Sequence, residues 1–571
     1  MNPFLLAALL ALAVPLSATA QQQDAAPVAV LTGAEAIYTA DPDRPTAEAF
    51  AMQNGRLLMV GSAERVRAAY PDARRLDAEG RTVVPGFIDA HAHLMGLGES
   101  LLQADLVGTD SPQDIVQRLQ SFAEERDLPE GAWLTGRGWD QNDWPGDTSF
   151  PTRAVLDEAF PERPVWLTRI DGHAGWANTA ALEAAGLQRI QRADDPEGGK
   201  IIRGDGGAPT GVFVDAAMQM VEEARPELTR AERAEGLQRA LQKTRRQGLT
   251  SVHEAGVGRD VIGLYKEAID DGRFPLRVYA MIDGRGDAFD HYCNEGPLVG
   301  PRGLGYRGRL AVRSVKFYMD GALGSRGAAL LEDYSDDAGN RGLLRREPAA
   351  FRRDVAAALD CGFQVNTHAI GDRANHVVLD AYEDARTPAR EADPGRHRIE
   401  HAQILAPQDL ERFAALGVIA SMQPTHATSD MPWADERLGE ERLDGAYAWK
   451  SLAESGAHLA FGSDFPVEDV SVIEGFYAAV TRQDAGGAPE GGWHPEERVS
   501  RRAALRGFTL GAAYAAFQED DIGSLEPGKR ADFVLLSRDI MQAPASNILD
   551  TEVEATYLDG EKVYPSRDGQ Y

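Results

Sequence analysis

Val84-Pro85-Gly86-Phe87-Ile88-Asp89-Ala90-His91-Ala92-His93 joins an apolar run to two histidines one residue apart. Residues 83–88 read as a buried strand, with the histidines at its C-terminal end. Side chains at i and i+2 of a strand project to the same side, so both imidazoles can reach one metal ion. A lone H-x-H is a weak signal. Its weight here comes from what recurs further along the chain.

Gln364-Val365-Asn366-Thr367 ends in His368, Arg398-Ile399-Glu400 ends in His401, and Leu459-Ala460-Phe461-Gly462-Ser463 ends in Asp464. Each is a short strand candidate that delivers a ligand-type residue at its end. A parallel barrel gathers all such ends on one face, where active sites of that architecture sit. Taken singly, each histidine reads as a buried or surface imidazole and Asp464 as a turn or helix cap; the set reads as one metal-sized meeting point.

Eight strand candidates support a barrel: 83–88, 250–254, 277–282, 314–317, 364–367, 398–400, 418–422 and 459–461. Helical patterns such as 230–247 and 349–361 alternate with them, as a parallel α/β fold requires. The expected fold is a (β/α)8 TIM-type barrel over residues 86–514. About 160 residues separate the first two strands, too many for a simple connection, so an inserted domain is expected at about 100–225. The two ends, 27–85 and 515–571, are β-rich, with hairpin turns at Asn54-Gly55 and Asp559-Gly560. They predict one small β-sandwich built from both termini.

The 571 residues are 43% hydrophobic and 26% charged, an ordinary globular balance. A net charge of −30 disfavours binding to phosphate backbones. Residues 1–20 read as a secretory signal, with an apolar run over 4–14 and small residues Ala18-Thr19-Ala20 before Gln21. An exported protein, periplasmic or secreted, is therefore expected, with no stable membrane insertion after cleavage. The cysteines are two, Cys293 and Cys361. Sequence leaves open whether they meet, and two thiols are too few for a Cys-based metal cage, so any metal must be held mainly by nitrogen and oxygen ligands. Oligomeric state stays open, a homo-oligomer included.

The chain resembles the amidohydrolase superfamily, and more closely its YtcJ-like branch, amidohydrolase family 3. The resemblance rests on 85–93, Gly138-Trp139-Asp140, Asp171-Gly172-His173, 251–256, Lys316-Phe317-Tyr318-Met319-Asp320-Gly321, Thr367-His368-Ala369-Ile370-Gly371-Asp372, Ile399-Glu400-His401, Gly462-Ser463-Asp464-Phe465-Pro466 and the tail 523–532. It implies His91 and His93 on a more buried metal and His368 and His401 on a second. It implies Asp464 on the first metal and the catalytic water, and Lys316 where related enzymes carry a carboxylated lysine bridging two metals. An ammonium cannot ligate a cation, whereas a lysine carbamate can, and burial makes the reaction with carbon dioxide feasible. The alternative is a charged Lys316 paired with Asp320.

The implied cofactor is one or two divalent ions, zinc before manganese, iron or cobalt. The implied function is hydrolysis of a non-peptide carbon–nitrogen bond in an amide, N-acyl or N-formyl small molecule by metal-activated hydroxide, with Asp464 shuttling the proton. Cyclic-amide hydrolysis, deamination, ester hydrolysis and a metal-free binding role are the alternatives. Trp139, His173, Asp320 and Arg326 are candidate substrate contacts, His426 and Asp430 possible rim residues. His253 and Glu254 read as a supporting pair.

Overall fold

The computed structural model describes residues 26–565 except 130, 142–143, 146–148, 170–171, 173, 197–198 and 387–394. The leader at 1–20 and His173 thus lie outside the described residues. Eight parallel strands form the central sheet in sequential order. They are β1 (Phe87–Ala92), β2 (Leu249–Val257), β3 (Arg277–Asp283), β4 (Leu310–Tyr318), β5 (Gln364–Ala369), β6 (Arg398–His401), β7 (Ile419–Met422) and β8 (His458–Phe461). The gap between β8 and β1 is bridged just past the strand ends. Asp464 N–H donates to His91 C=O at 2.8 Å, and His93 N–H donates to Phe465 C=O at 2.8 Å. The (β/α)8 expectation therefore holds, and the bridge brings the histidine pair against the carboxylate.

The first strand differs from expectation. Residues 83–88 divide between two sheets, Thr82–Pro85 in the terminal sandwich and Phe87 onward in the barrel. Gly86 is the joint, because a side chain there would run into Thr250 of β2. Continuous hydrophobicity conceals such a crossing, since both halves are buried.

The terminal segments form two sheets, the first wholly N-terminal and the second built from both ends of the chain. One runs Arg56–Gly61, Ala49–Gln53, Ala29–Thr32, Arg74–Asp77; the other joins Val553–Leu558 and Phe533–Leu536 to Thr82–Pro85 and Ala36–Tyr38. Leu31, Phe50, Met52, Phe533 and Tyr557 make the core between them. Both hairpin turns take two consecutive positive φ values, 51° and 76° at Asn54 and Gly55, 52° and 73° at Asp559 and Gly560, the tight turn that matches strand twist. Buried Arg277 of β3 reaches Asp532 at 3.0 Å and Asp559 at 2.7 Å, fastening barrel to sandwich.

Between β1 and β2 the chain builds a six-stranded sheet spanning Ala104–Asp105 to Pro209–Asp215. Its core holds Leu119, Trp139, Trp144, Leu167 and Trp176. The helix that follows His93, Leu94–Ser100, lies against helix Arg230–Arg246. Gly98 and Gly236 touch at the crossing, where a Cβ on either would lie 2.7 Å from the other's backbone. Cys293 and Cys361 form a disulfide.

Candidate metal centre

His91 and His93 leave β1 on the same side, as their spacing requires. Their Nε2 atoms lie 3.5 and 3.2 Å from Asp464 Oδ1. Two donors on one zinc-like ion, each about 2.0–2.2 Å from it, are about 3–3.5 Å apart. Asp464 has φ of 63° and His401 of 76°, a region non-glycine residues rarely enter and one that recurs at functional sites. Gly462 lets β8 close on β1: a Cβ there would sit 2.5 Å from both Asp89 Oδ1 and His91 N.

Three histidines are held alike. His91 Nδ1 faces Glu400 Oε2 at 2.5 Å, His93 Nδ1 faces Ala255 C=O at 3.1 Å, and His401 Nδ1 faces Gln423 Oε1 at 2.8 Å. An acceptor on Nδ1 fixes the tautomer that leaves Nε2 as a lone-pair donor, the usual support for a metal-binding imidazole. Asp464 Oδ1 and the Nε2 atoms of His368 and His426 are buried with no hydrogen-bond partner among the described residues. Buried polar atoms are almost always satisfied; a divalent cation would satisfy these. Histidine nitrogens and carboxylate oxygen suit such an ion, so the residues fit the implied metal.

The profile of the amidohydrolase family matches residues 74–564. The chain belongs to the amidohydrolase family. It is 33% identical to YtcJ of Bacillus subtilis over 92% of this chain and 98% of that protein. It is 30% identical to an N-substituted formamide deformylase of Arthrobacter pascens over 92% of this chain and 96% of that one. A solved metal-dependent hydrolase of Pyrococcus horikoshii superposes with a TM-score of 0.75 at 28% identity, covering 91% and 99% of the two chains. This amidohydrolase is thus a hydrolase of carbon–nitrogen bonds, of the YtcJ-like branch.

Electrostatics separate the groups around the centre. Burial alone would raise Asp464, but His91, His93 and His426 outweigh it and hold the carboxyl well below the ordinary range. Burial would likewise raise Glu400, and Arg398 and His91 hold it low. Burial, aided by Lys316, lowers His91 to about 4 and His368 to about 3, so both are neutral near pH 7. Burial lowers Lys316 to about 8 against the pull of Glu400 and Asp464. Lys316 Nζ lies 3.3 Å from His91 Nε2, facing the centre. The structure gives it no ion pair with Asp320. His368 packs on His401, ring centroids 4.5 Å apart, with Nε2 3.5 Å from Asp320 Oδ1.

The structure gives three candidate substrate contacts partners within the protein. Trp139 is fully buried in the inserted domain, its Nε1 donating to Leu167 C=O at 3.0 Å beside Trp144 and Trp176. A large apolar ring gains more from packing than from lining a wet mouth. Arg326 spends its guanidinium on Asp336 at 2.8 Å. Asp320 accepts the N–H groups of Ala329, Ile370 and Gly371 at 2.8–3.0 Å; it ties the loop after β4 to the end of β5. Of the supporting pair, His253 meets Arg398 at 2.9 Å, and Glu254 accepts the N–H groups of Leu94 and Met95.

Glu400 and Gln423 were missed as the partners of His91 and His401. Glu400 lies in the Ile399-Glu400-His401 stretch, and alternation along β6 puts Arg398 and Glu400 on one side. That was the available signal. Its contact with a residue 309 positions away was not legible.

Proposed function

We propose that this amidohydrolase is a metal-dependent enzyme that cleaves the carbon–nitrogen bond of small amides of the N-acyl or N-formyl type. The single observation that carries the reading is the convergence of His91, His93 and Asp464 on one point between β1 and β8, donor atoms within 4.8 Å of one another. The deformylase relative supports the substrate class. His91, His93 and Asp464 would hold a first divalent ion, zinc by donor type, and His368 and His401 line the adjoining side. When bound, such an ion lowers the pKa of a water it holds from about 15.7 towards 7 and polarises a carbonyl.

The chain's own part is positioning and proton transfer. Glu400 and Ala255 C=O keep both Nε2 lone pairs aimed inward. Asp464, ionised, takes a proton from the attacking water at its carboxylate. The carbon–oxygen bond forms as that proton is taken, and the proton is returned to the nitrogen as the carbon–nitrogen bond breaks. An amide needs this because an amide anion is a poor leaving group. Lys316, buried and with a lowered pKa, is set to react with carbon dioxide; its amine would lose a proton and gain a carboxylate that can bridge two ions.

The test is metal content by mass spectrometry together with a panel of N-formyl amines, N-acyl amines, lactams, amino-heterocycles and esters. Metal-loaded protein should cleave N-formyl or N-acyl amines fastest. Loaded protein that leaves them intact while cleaving another class contradicts the substrate reading. Lys316→Ala should lose metal and regain part of it with short carboxylic acids; unchanged metal content contradicts the carbamate. Export is part of the same proposal. The Cys293–Cys361 disulfide supports it, since disulfides persist in oxidising compartments. A mature N-terminus at Gln21 in a periplasmic or secreted fraction would bear it out.

A further inference from the structure

Tyr318 stands two residues after Lys316 on β4, so both side chains project from the same side of the strand. Lys316 is buried, whereas Tyr318, nearer the strand end, is 37% exposed. The Tyr318 ring centroid lies 5.1 Å from Lys316 Nζ and 5.8 Å from the centroid of His368. An open aromatic face therefore adjoins the centre at which the carbon–nitrogen bond is to be cleaved.

Two groups of opposite charge flank this ring. The guanidinium of Arg345 lies 5.6 Å from its centroid. Backbone bonds put it there: Arg345 N–H donates to Met319 C=O at 2.8 Å, and Met319 N–H donates to His368 C=O at 2.9 Å. Asp283, the last residue of β3, sits at the hydroxyl end. A Cβ on Gly256 would lie 2.9 Å from Tyr318 Oη and 3.6 Å from Asp283 Oδ1, so hydroxyl and carboxylate converge over the end of β2. Asp283 and Arg345 are both exposed. Neither makes an ion pair or a side-chain hydrogen bond among the described residues, with each other included.

A single arginine at the mouth would select an anion, and a single aspartate a cation. Here Asp283 repels the first and Arg345 the second, and a molecule carrying both charges satisfies both residues. We propose that Asp283, Tyr318 and Arg345 form a subsite for a free amino-acid head group, so that the substrate is an amino acid formylated or acylated on its side-chain nitrogen. This rests on the N-acyl or N-formyl reading above and names the amine part within it. A formyl group carries no substituent, so the head group belongs to the amine side of the scissile bond. Arg345 takes the carboxylate through its planar fork, and Asp283 takes the ammonium. The exposed face of Tyr318 carries the aliphatic stem that joins the head group to the amide.

The test uses the metal-loaded full chain and four formylated amines. Nε-formyl-lysine carries both charges, N-formyl-aminohexanoate the carboxylate alone, N-formyl-cadaverine the ammonium alone and N-formyl-pentylamine neither. Nε-formyl-lysine should show a kcat/KM at least about tenfold above each of the others. Arg345→Gln should lower kcat/KM at least about tenfold more for the two carboxylate compounds than for the other two, through KM. Asp283→Asn should do the same for the two ammonium compounds. Equal kcat/KM on all four, a preference for a singly charged or uncharged compound, or variants that slow all four alike would overturn this subsite and leave the N-formyl reading standing. Loaded protein that cleaves none of the four, and no N-acyl amine either, would overturn both.

Discussion

The β1–β8 side of the barrel mouth and its β5–β7 side carry the same residue types but hold them differently. On the first, His91 is held by a carboxylate whose other partner is buried Arg398, 2.8 Å away. His93 is held by a backbone carbonyl, and the turn bearing Asp464 is fixed by Ser463, whose N–H and hydroxyl both bind Asp89. On the second, His401 leans on a neutral amide, while the Nε2 atoms of His368 and His426 make no hydrogen bond among the described residues. Charge-assisted bonds are shorter and roughly twice as strong as neutral ones. One half is therefore braced through charged groups and backbone, and the other through a neutral amide.

The largest expected effect falls on the residue assigned the proton transfer. Asp464→Asn should lower kcat on the best amide by about 10²–10⁴-fold, with the fold retained by circular dichroism; full turnover would remove its proton role. The next change tests the difference in bracing. Glu400→Gln should weaken the first metal by about 10–100-fold, and Gln423→Leu should weaken an ion held by His401 by about tenfold at most, both read by chelator competition. A larger loss from Gln423→Leu would reverse the comparison. Gly462→Ala should cost about 1–3 kcal/mol by thermal unfolding, since a Cβ there strikes Asp89 and the His91 backbone. The smallest effect on chemistry belongs to Trp139→Phe. It should lower Tm while kcat/KM stays within about twofold, as fits a change in the core of the inserted domain.

Much of this was legible in the chain. Strand ends bearing His91, His93, His368, His401 and Asp464 could be read because apolar runs and period-two spacing are local signals. The sandwich turns were legible because Asn-Gly and Asp-Gly favour consecutive positive φ. Other features hid because they depend on distant partners. Glu400 matters through His91, Arg326 is drawn off by Asp336, and Trp139 finds two other tryptophans across the inserted sheet. The crossing at Gly86 hid for a different reason: two buried strands in a row give one hydrophobic signal. His426 could be seen only as a rim residue, since a helix start does not say which way its first turn faces.

Anomalous diffraction from crystals soaked in zinc would test the metal centre most directly. A peak is predicted about 2.0–2.2 Å from the Nε2 atoms of His91 and His93 and from an oxygen of Asp464. A zinc-soaked crystal with no peak between those three side chains would contradict a metal-dependent enzyme at this barrel mouth.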